Sequence, residues 1–329
     1  MKSKGWLSII FILLITTAFS QNKPYGNITV AQDGSGDFTT IQEAVNSTRY
    51  LGPGEVLISV KPGVYKEKLV IPSWKHQFTL RGSGKENTRI THADFSGKID
   101  SLTQQKLNTF TSHTVLVQGN DIKIENLTIE NASCNQGQAV ALHVEGDRFV
   151  IKNSAIIGCQ DTVYAATENS RQFYDNCEIE GTTDFIFGEA TAVFKNCTVK
   201  SKANSFVTAA ATPKDQQYGF VFINCKLIAS AEIKKVYLGR PWRPYAKTVF
   251  LNCELGDHIV AEGWDAWKGD AMFPEKEKTT FYAEYQNSGP GSSAENRMRW
   301  SKQLSPQEAK EYTIKKILAG SDGWNPIKN

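Results

Sequence analysis

The segment "YDNCEI", residues 174–179, carries the spacing that decides the fold. An aromatic residue, an asparagine and an aliphatic residue stand at positions i, i+2 and i+5, with a small residue at i+3. The pattern apolar-x-Asn-small/apolar-x-aliphatic recurs as Ile124-x-Asn126-Leu127-x-Ile129 and Ile151-x-Asn153-Ser154-x-Ile156. It continues as Phe194-x-Asn196-Cys197-x-Val199, Phe222-x-Asn224-Cys225-x-Leu227 and Phe250-x-Asn252-Cys253-x-Leu255. The asparagines lie 27, 23, 20, 28 and 28 residues apart, a period that belongs to repeat architectures.

Inward residues of an uninterrupted strand fall at i, i+2 and i+4. Here they fall at i, i+3 and i+5, so one residue must flip the parity, and the asparagine can. It tolerates the left-handed conformation of a sharp bend, and its amide bonds locally. Two short strands about an Asn bend describe one coil of a parallel β-solenoid, in which each coil covers the edge of the one before. The pattern predicts asparagines buried by the next coil, so that the sequons at Asn126 and Asn196 make poor glycan acceptors. A doubly wound α/β fold needs amphipathic helices between strands, and residues 115–260 offer none. A β-propeller needs four strands per repeat of 40 or more residues, which these intervals cannot hold.

The ends read as caps. "DGSGDFTTIQEAVN" (33–46) is a Gly-rich turn followed by a helix from about Ile41, with Thr39 or Thr40 as N-cap. No strand–GxGxxG–helix unit or Walker lysine accompanies it, which argues against a nucleotide site. Ser305-Pro306-Gln307-Glu308 is a capping box expected to open a side-packed helix to about Leu318. Lys2 and Lys4 precede an apolar run from Gly5 to Ile15, and Ala18-Phe19-Ser20 supplies small residues beyond it. This reads as a secretory signal peptide over 1–20, the run being short for a membrane anchor. Residues 21–329 are expected to form a single domain.

Removing residues 1–20 takes away two lysines and no acid, and the formal charge falls from +3 to +1. A nearly neutral chain argues against nucleic acid as a partner. The six cysteines, with no CxxC, and five scattered histidines argue against zinc.

Asp161 in "GCQDTVY" (158–164) follows Ile156 by five residues, and Asp184 in "GTTDFIFG" follows Ile179 by five. Those aliphatics hold one place in consecutive repeats, so the carboxylates should stack about 5 Å apart. Two close carboxylates cannot both ionise freely, and such a pair separates into an acid and a base. The bland alternative is chance, since solenoid turns are rich in aspartate. Phe185, Phe187 and Tyr164 beside the acids suggest instead a sugar-binding groove.

At these residues the chain resembles pectin methylesterases. "GVYKE" (63–67), "QAVAL" (138–142), "QDTVY" (160–164), "DFIFG" (184–188) and "LGRPW" (238–242) stand in the order seen in that family. The resemblance implies an all-β, right-handed parallel β-helix that hydrolyses methyl esters of pectin (homogalacturonan) without a metal or other cofactor. It implies Asp184 as nucleophile, Asp161 as general acid and then base, Gln138 and Gln160 as oxyanion donors, and Arg240 orienting Asp184. Thr109, Tyr164, Phe187 and Trp242 are expected to contact substrate, although Trp242 would otherwise read as a core aromatic and Arg240 as a surface ion pair. A secreted or periplasmic monomer, with no membrane insertion after signal removal, is expected. Cys177 and Cys197 hold equivalent places on adjacent coils, and some family members bridge matching positions, so these two are expected bridged or in contact. The chain departs from the family in "AATENSRQ" (165–172), about two residues longer than usual, and in "FVTAAATPKDQQYGF" (206–220), which replaces the usual Gln-Gly-Arg segment. A pectate lyase or polygalacturonase on the same scaffold, a non-catalytic pectin-binding solenoid and a thioester-cleaving relative are the rival readings.

Overall fold

A computed structural model describes residues 26–49 and 55–327. The expected signal peptide lies outside them. The described strands form three parallel sheets of 11, 7 and 8 strands, and the chain visits the sheets in turn as it climbs. The result is the right-handed parallel β-helix.

The asparagine bends are as the spacing requires. Asn126, Asn153, Asn176, Asn196, Asn224 and Asn252 have φ between 49° and 58°, and each separates a strand of the 11-stranded sheet from one of the 8-stranded sheet. The residues flanking each bend point inward. Tyr174, Phe194, Phe222 and Phe250 stack with ring centroids 4.5, 4.6 and 4.3 Å apart, close to the spacing of parallel strands. Beside them run Ile156, Ile179, Val199, Leu227 and Leu255, all at most 1% exposed. Full burial contributes roughly 1.5–3 kcal/mol for each large apolar side chain, so this column is a substantial part of what stabilises the coil.

Two expectations about the bends need correction. The asparagine side chains are not buried: Asn126 is half-exposed, and the other five are exposed. A left-handed bend turns the backbone inward and throws its own side chain outward. The burial argument against the sequons at Asn126 and Asn196 therefore fails. Axial bonding is visible where Asn176 Nδ2 donates to Asn153 Oδ1 at 2.8 Å.

Cys177 and Cys197 are free, buried thiols, and so are Cys225 and Cys253. Stacked register positions send their Cβ vectors out in parallel, whereas a disulfide needs them to converge. The two thiols are in contact without being bridged, and each hydrogen-bonds to backbone carbonyls, Cys177 to Ile151 and Asp175 and Cys197 to Tyr174 and Lys195. The disulfide joins Cys134 to Cys159, with Cα atoms 5.3 Å apart.

The N-terminal helix α1, Ile41–Ser47, starts at Thr40, whose side chain accepts from the Glu43 amide. Glu67 of "GVYKE" accepts from the Ile41 and Gln42 amides at 3.0 Å each, satisfying donors that a helix start leaves free. Ile41, Ala44 and Val45 are fully buried against the first coils. At the other end, the single helix expected from Ser305 to Leu318 is two short ones, α2 Pro306–Ala309 and α3 Ile314–Leu318. The capping box at Ser305 forms as expected. The break sets Tyr312 against Tyr218, with rings 5.7 Å apart, and Thr313 caps the second helix. Ile317 and Leu318 pack on Val150, Phe173 and Val193, the outward apolar residues of the 11-stranded sheet.

Candidate active site

Asp161 and Asp184 both lie in left-handed bends, with φ of 64° and 48°. The two bends sit on neighbouring coils: the Asp161 amide donates to the Thr183 carbonyl, and the Asp184 amide donates to Phe206. Aspartate is one of the few residues that tolerates this conformation, so the same property that makes it a turn residue aims both carboxylates off the sheet. Both are mostly buried, at 8% and 6% exposure.

Arg240 distinguishes them. Its Nε donates to Asp184 Oδ1 at 3.0 Å and its Nη2 to Asp184 Oδ2 at 2.6 Å, a bidentate clamp. Gly239 lets this coil lie close, since a Cβ there would run into the Thr208 side chain. The guanidinium is flanked by Phe206 and Trp267, whose ring centroids lie 4.0 and 3.6 Å from its Cζ. Arg240 is thus no surface ion pair.

Burial pushes the Asp161 carboxyl well above the ordinary range, and the charge of Asp184 pushes it further, with Arg240 opposing. Burial also raises Asp184, but there the direct hydrogen bonds and charge of Arg240 oppose the rise. The bidentate clamp decides the order: Asp184 ionises first and Asp161 holds its proton longer. One carboxylate and one carboxylic acid then face the same cavity.

That cavity, about 250 Å³, is lined by Thr109, Gln138, Gln160, Phe187 and Trp242 together with Asp161, Asp184 and Arg240. Seven of these come from four different coils, and only the helical register brings them together. Trp242 is half-buried at the rim, edge-on to Phe187 with centroids 5.8 Å apart, and is not a core residue. The disulfide Cys134–Cys159 joins the segment before Gln138 to the residue before Gln160, and the Ala139 amide donates to the Gln160 carbonyl. It staples the two glutamines to one another.

Two aromatic expectations need adjusting. Phe185 points into the core and is fully buried, because Asp184 flips the parity there. Tyr164 lies outside the cavity lining. It stacks on Phe187 at 4.6 Å and belongs to an adjoining hollow with Phe110, His143, Glu145 and Glu189. The cavity also includes Phe110, Ala209 and Trp267, which the sequence reading missed. Ala209 was within reach, since it pairs with Phe187 in the ladder His143–Tyr164–Phe187–Ala209. Trp267 carries no repeat signal, because it comes from a loop. A larger hollow of about 620 Å³ lies by Trp324 on the outer face of the 11-stranded sheet. It is lined by mutually paired charges such as Arg81–Glu125 and Arg148–Asp121, and it is remote from the stacked acids.

A family model described as Pectinesterase matches residues 27–321. Pectinesterase 2 of Citrus sinensis is 36% identical over 324 residues, covering 94% of this chain and 60% of that one. The chain spans about half to 60% of the length of the first curated relatives it matches. Among solved structures, pectin methylesterase from carrot is 31% identical, covers 90% of this chain and 93% of its own, and superposes with a TM-score of 0.82. A pectin methylesterase in complex with a hexasaccharide is 30% identical, with coverage of 91% and 98% and a TM-score of 0.76.

Proposed function

This chain belongs to the pectinesterase family, and from that premise we propose that it hydrolyses the methyl esters of pectin to pectate and methanol. The observation that carries this reading is the stacked acid pair in which Arg240 clamps only Asp184.

Asp184, held ionised and pointed by Arg240, attacks the ester carbonyl carbon. A carboxylate is a weak nucleophile, so fixed proximity supplies much of the rate. The side-chain amides of Gln138 and Gln160 take the negative charge that develops on the carbonyl oxygen. Asp161 gives its proton to the departing methoxide oxygen, the C–O bond breaks, and methanol leaves an anhydride on Asp184. The ionised Asp161 then takes a proton from water as the hydroxide adds to the substrate carbonyl. Collapse of that adduct frees Asp184 as a carboxylate and leaves the galacturonic acid, which gives its proton to solvent. Thr109, Phe187 and Trp242 line the groove, and Tyr164 extends it by one ring. The hexasaccharide held by a structural neighbour makes an oligosaccharide a fitting occupant for such a groove. The leader-like segment 1–20 and the disulfide Cys134–Cys159 support a site of action outside the cytoplasm.

Methanol release from methylated pectin tests the reading, with unsaturated and reducing ends measured in parallel. Methanol alone supports an esterase. Unsaturated ends would mean a lyase, new reducing ends a glycosidase, and binding with no product a non-catalytic solenoid.

A further inference from the structure

Lys276 is a buried cation that the ester chemistry does not use. It opens the 3₁₀ turn Lys276–Lys278, and its side chain is fully buried. Its ammonium pairs with Asp270 at 2.7 Å and lies 4.4 Å from the centroid of the Trp267 ring. It also donates to the Trp242 carbonyl at 3.5 Å. Trp267 in turn holds the Arg240 guanidinium, 3.6 Å from its centroid, and Arg240 clamps Asp184. One indole therefore carries two cations, and one lysine touches both tryptophans of the cavity wall. Burying a lysine is costly unless it is paired, so a fully buried one beside a functional cavity calls for a reason.

We propose that Lys276 is a positioning residue for the nucleophile, acting on Asp184 through Trp267 and Arg240. This rests on the reading of Asp184 as nucleophile given above. Lys276 does not line the cavity, so its influence runs through geometry and charge. By geometry, the ammonium and Asp270 fix the loop that presents Trp267, and the indole keeps the guanidinium flat against it. Trp267 itself sits in a left-handed bend at φ 51°, held by its amide donating to Asp265 Oδ1 at 2.7 Å, so its placement needs such support. By charge, Lys276 favours the ionised form of Asp184 alongside Arg240, while Asp265 opposes it and Asp161 stacks beside it. Burial acts most strongly against the Lys276 ammonium, Asp270 supports it, and Arg243 and Arg240 oppose it.

The test compares Lys276→Met, Lys276→Arg and Asp270→Asn in the full chain. Asp184 is followed by carboxylate ¹³C NMR, assigned by difference with Asp184→Asn, and methanol release is followed against pH. Lys276→Met should move the Asp184 titration and the acid limb of kcat/KM together to higher pH, by roughly 0.5 or more. It should lower kcat about tenfold with little change in KM, since no substrate contact is lost. Lys276→Arg should restore the limb. Asp270→Asn keeps the cation and should leave the limb in place while lowering the melting temperature. If Lys276→Met unfolds, a limb displaced by Asp270→Asn, or left at higher pH by Lys276→Arg, overturns the charge coupling. Equal pH profiles for folded Lys276→Met and wild type overturn the proposal and leave a purely structural lysine. An Asp184 titration that moves while the wild-type chain releases no methanol upholds the positioning and rejects the esterase reading instead.

Discussion

Arg240 meets both oxygens of Asp184, at 2.6 and 3.0 Å, and acts on the neighbouring Asp161 only through space. Two carboxyl groups placed in equivalent bends of consecutive coils are thereby made chemically unlike, and the proposed assignments rest on that inequality.

The first prediction separates the two acids. Asp184→Ala should abolish methanol release while leaving pectin binding intact, because no acyl-enzyme forms. Asp161→Asn keeps its shape but neither gives nor takes a proton, so both half-reactions slow. With an activated ester whose leaving group needs no proton, acylation should recover and deacylation should not, giving a burst near one equivalent and then a slow rate. A burst from the Asp184 variant, and none from the Asp161 variant, would reverse the assignment.

The pH dependence follows from the same inequality. In the proposed mechanism Asp184 acts ionised and Asp161 protonated, so kcat/KM should be bell-shaped, with the acid limb set by Asp184 and the alkaline limb by Asp161. Stability should move oppositely to the usual carboxylate case. Burial holds the Asp161 proton more tightly in the folded chain than in the unfolded one. Stability from this group is therefore full below the ordinary carboxyl range and is lost as pH rises to the folded value. Asp161→Asn, which never ionises, should be more stable than wild type at neutral pH, and the gap in melting temperature should close in acid. A gap independent of pH would show that the Asp161 carboxyl is not displaced.

Asn224, at φ 53°, tests the bend. Asn224→Ala should cost roughly 1–3 kcal/mol in denaturant unfolding, since alanine is strained in the left-handed region. Asn224→Gly should cost much less, because glycine needs no help there. Equal losses for the two variants would place the role in the side-chain amide and not in the bend.

Thiol chemistry distinguishes the core from the site. Mass spectrometry of the unreduced protein should find Cys134 joined to Cys159 and free thiols at 177, 197, 225 and 253. Replacing Cys134 and Cys159 with serine should cost roughly 2–4 kcal/mol, through a less constrained unfolded chain. It should also lower kcat by loosening Gln138 against Gln160. Full activity in that variant would mean the glutamines are held without the bridge.

The sequence by itself determined the coil. Six asparagines that flip the inward parity at residues 126–252 are a local signal, because a left-handed bend is a property of one residue and its neighbours. The same register places Asp161 over Asp184, since equal offsets from Ile156 and Ile179 make equal positions in space. Tertiary structure alone decided the rest. Which cysteines join depends on whether their Cβ vectors converge, and stacked Cys177 and Cys197 do not while Cys134 and Cys159 do. Whether a bend asparagine is buried depends on which way the bend throws its side chain, and it is outward. Trp267 reaches the cavity, and Lys276 reaches the Trp267 ring, from a loop with no repeat, so no spacing in the chain marks them; only the folded path of residues 264–278 brings an indole against Arg240 and an ammonium against that indole.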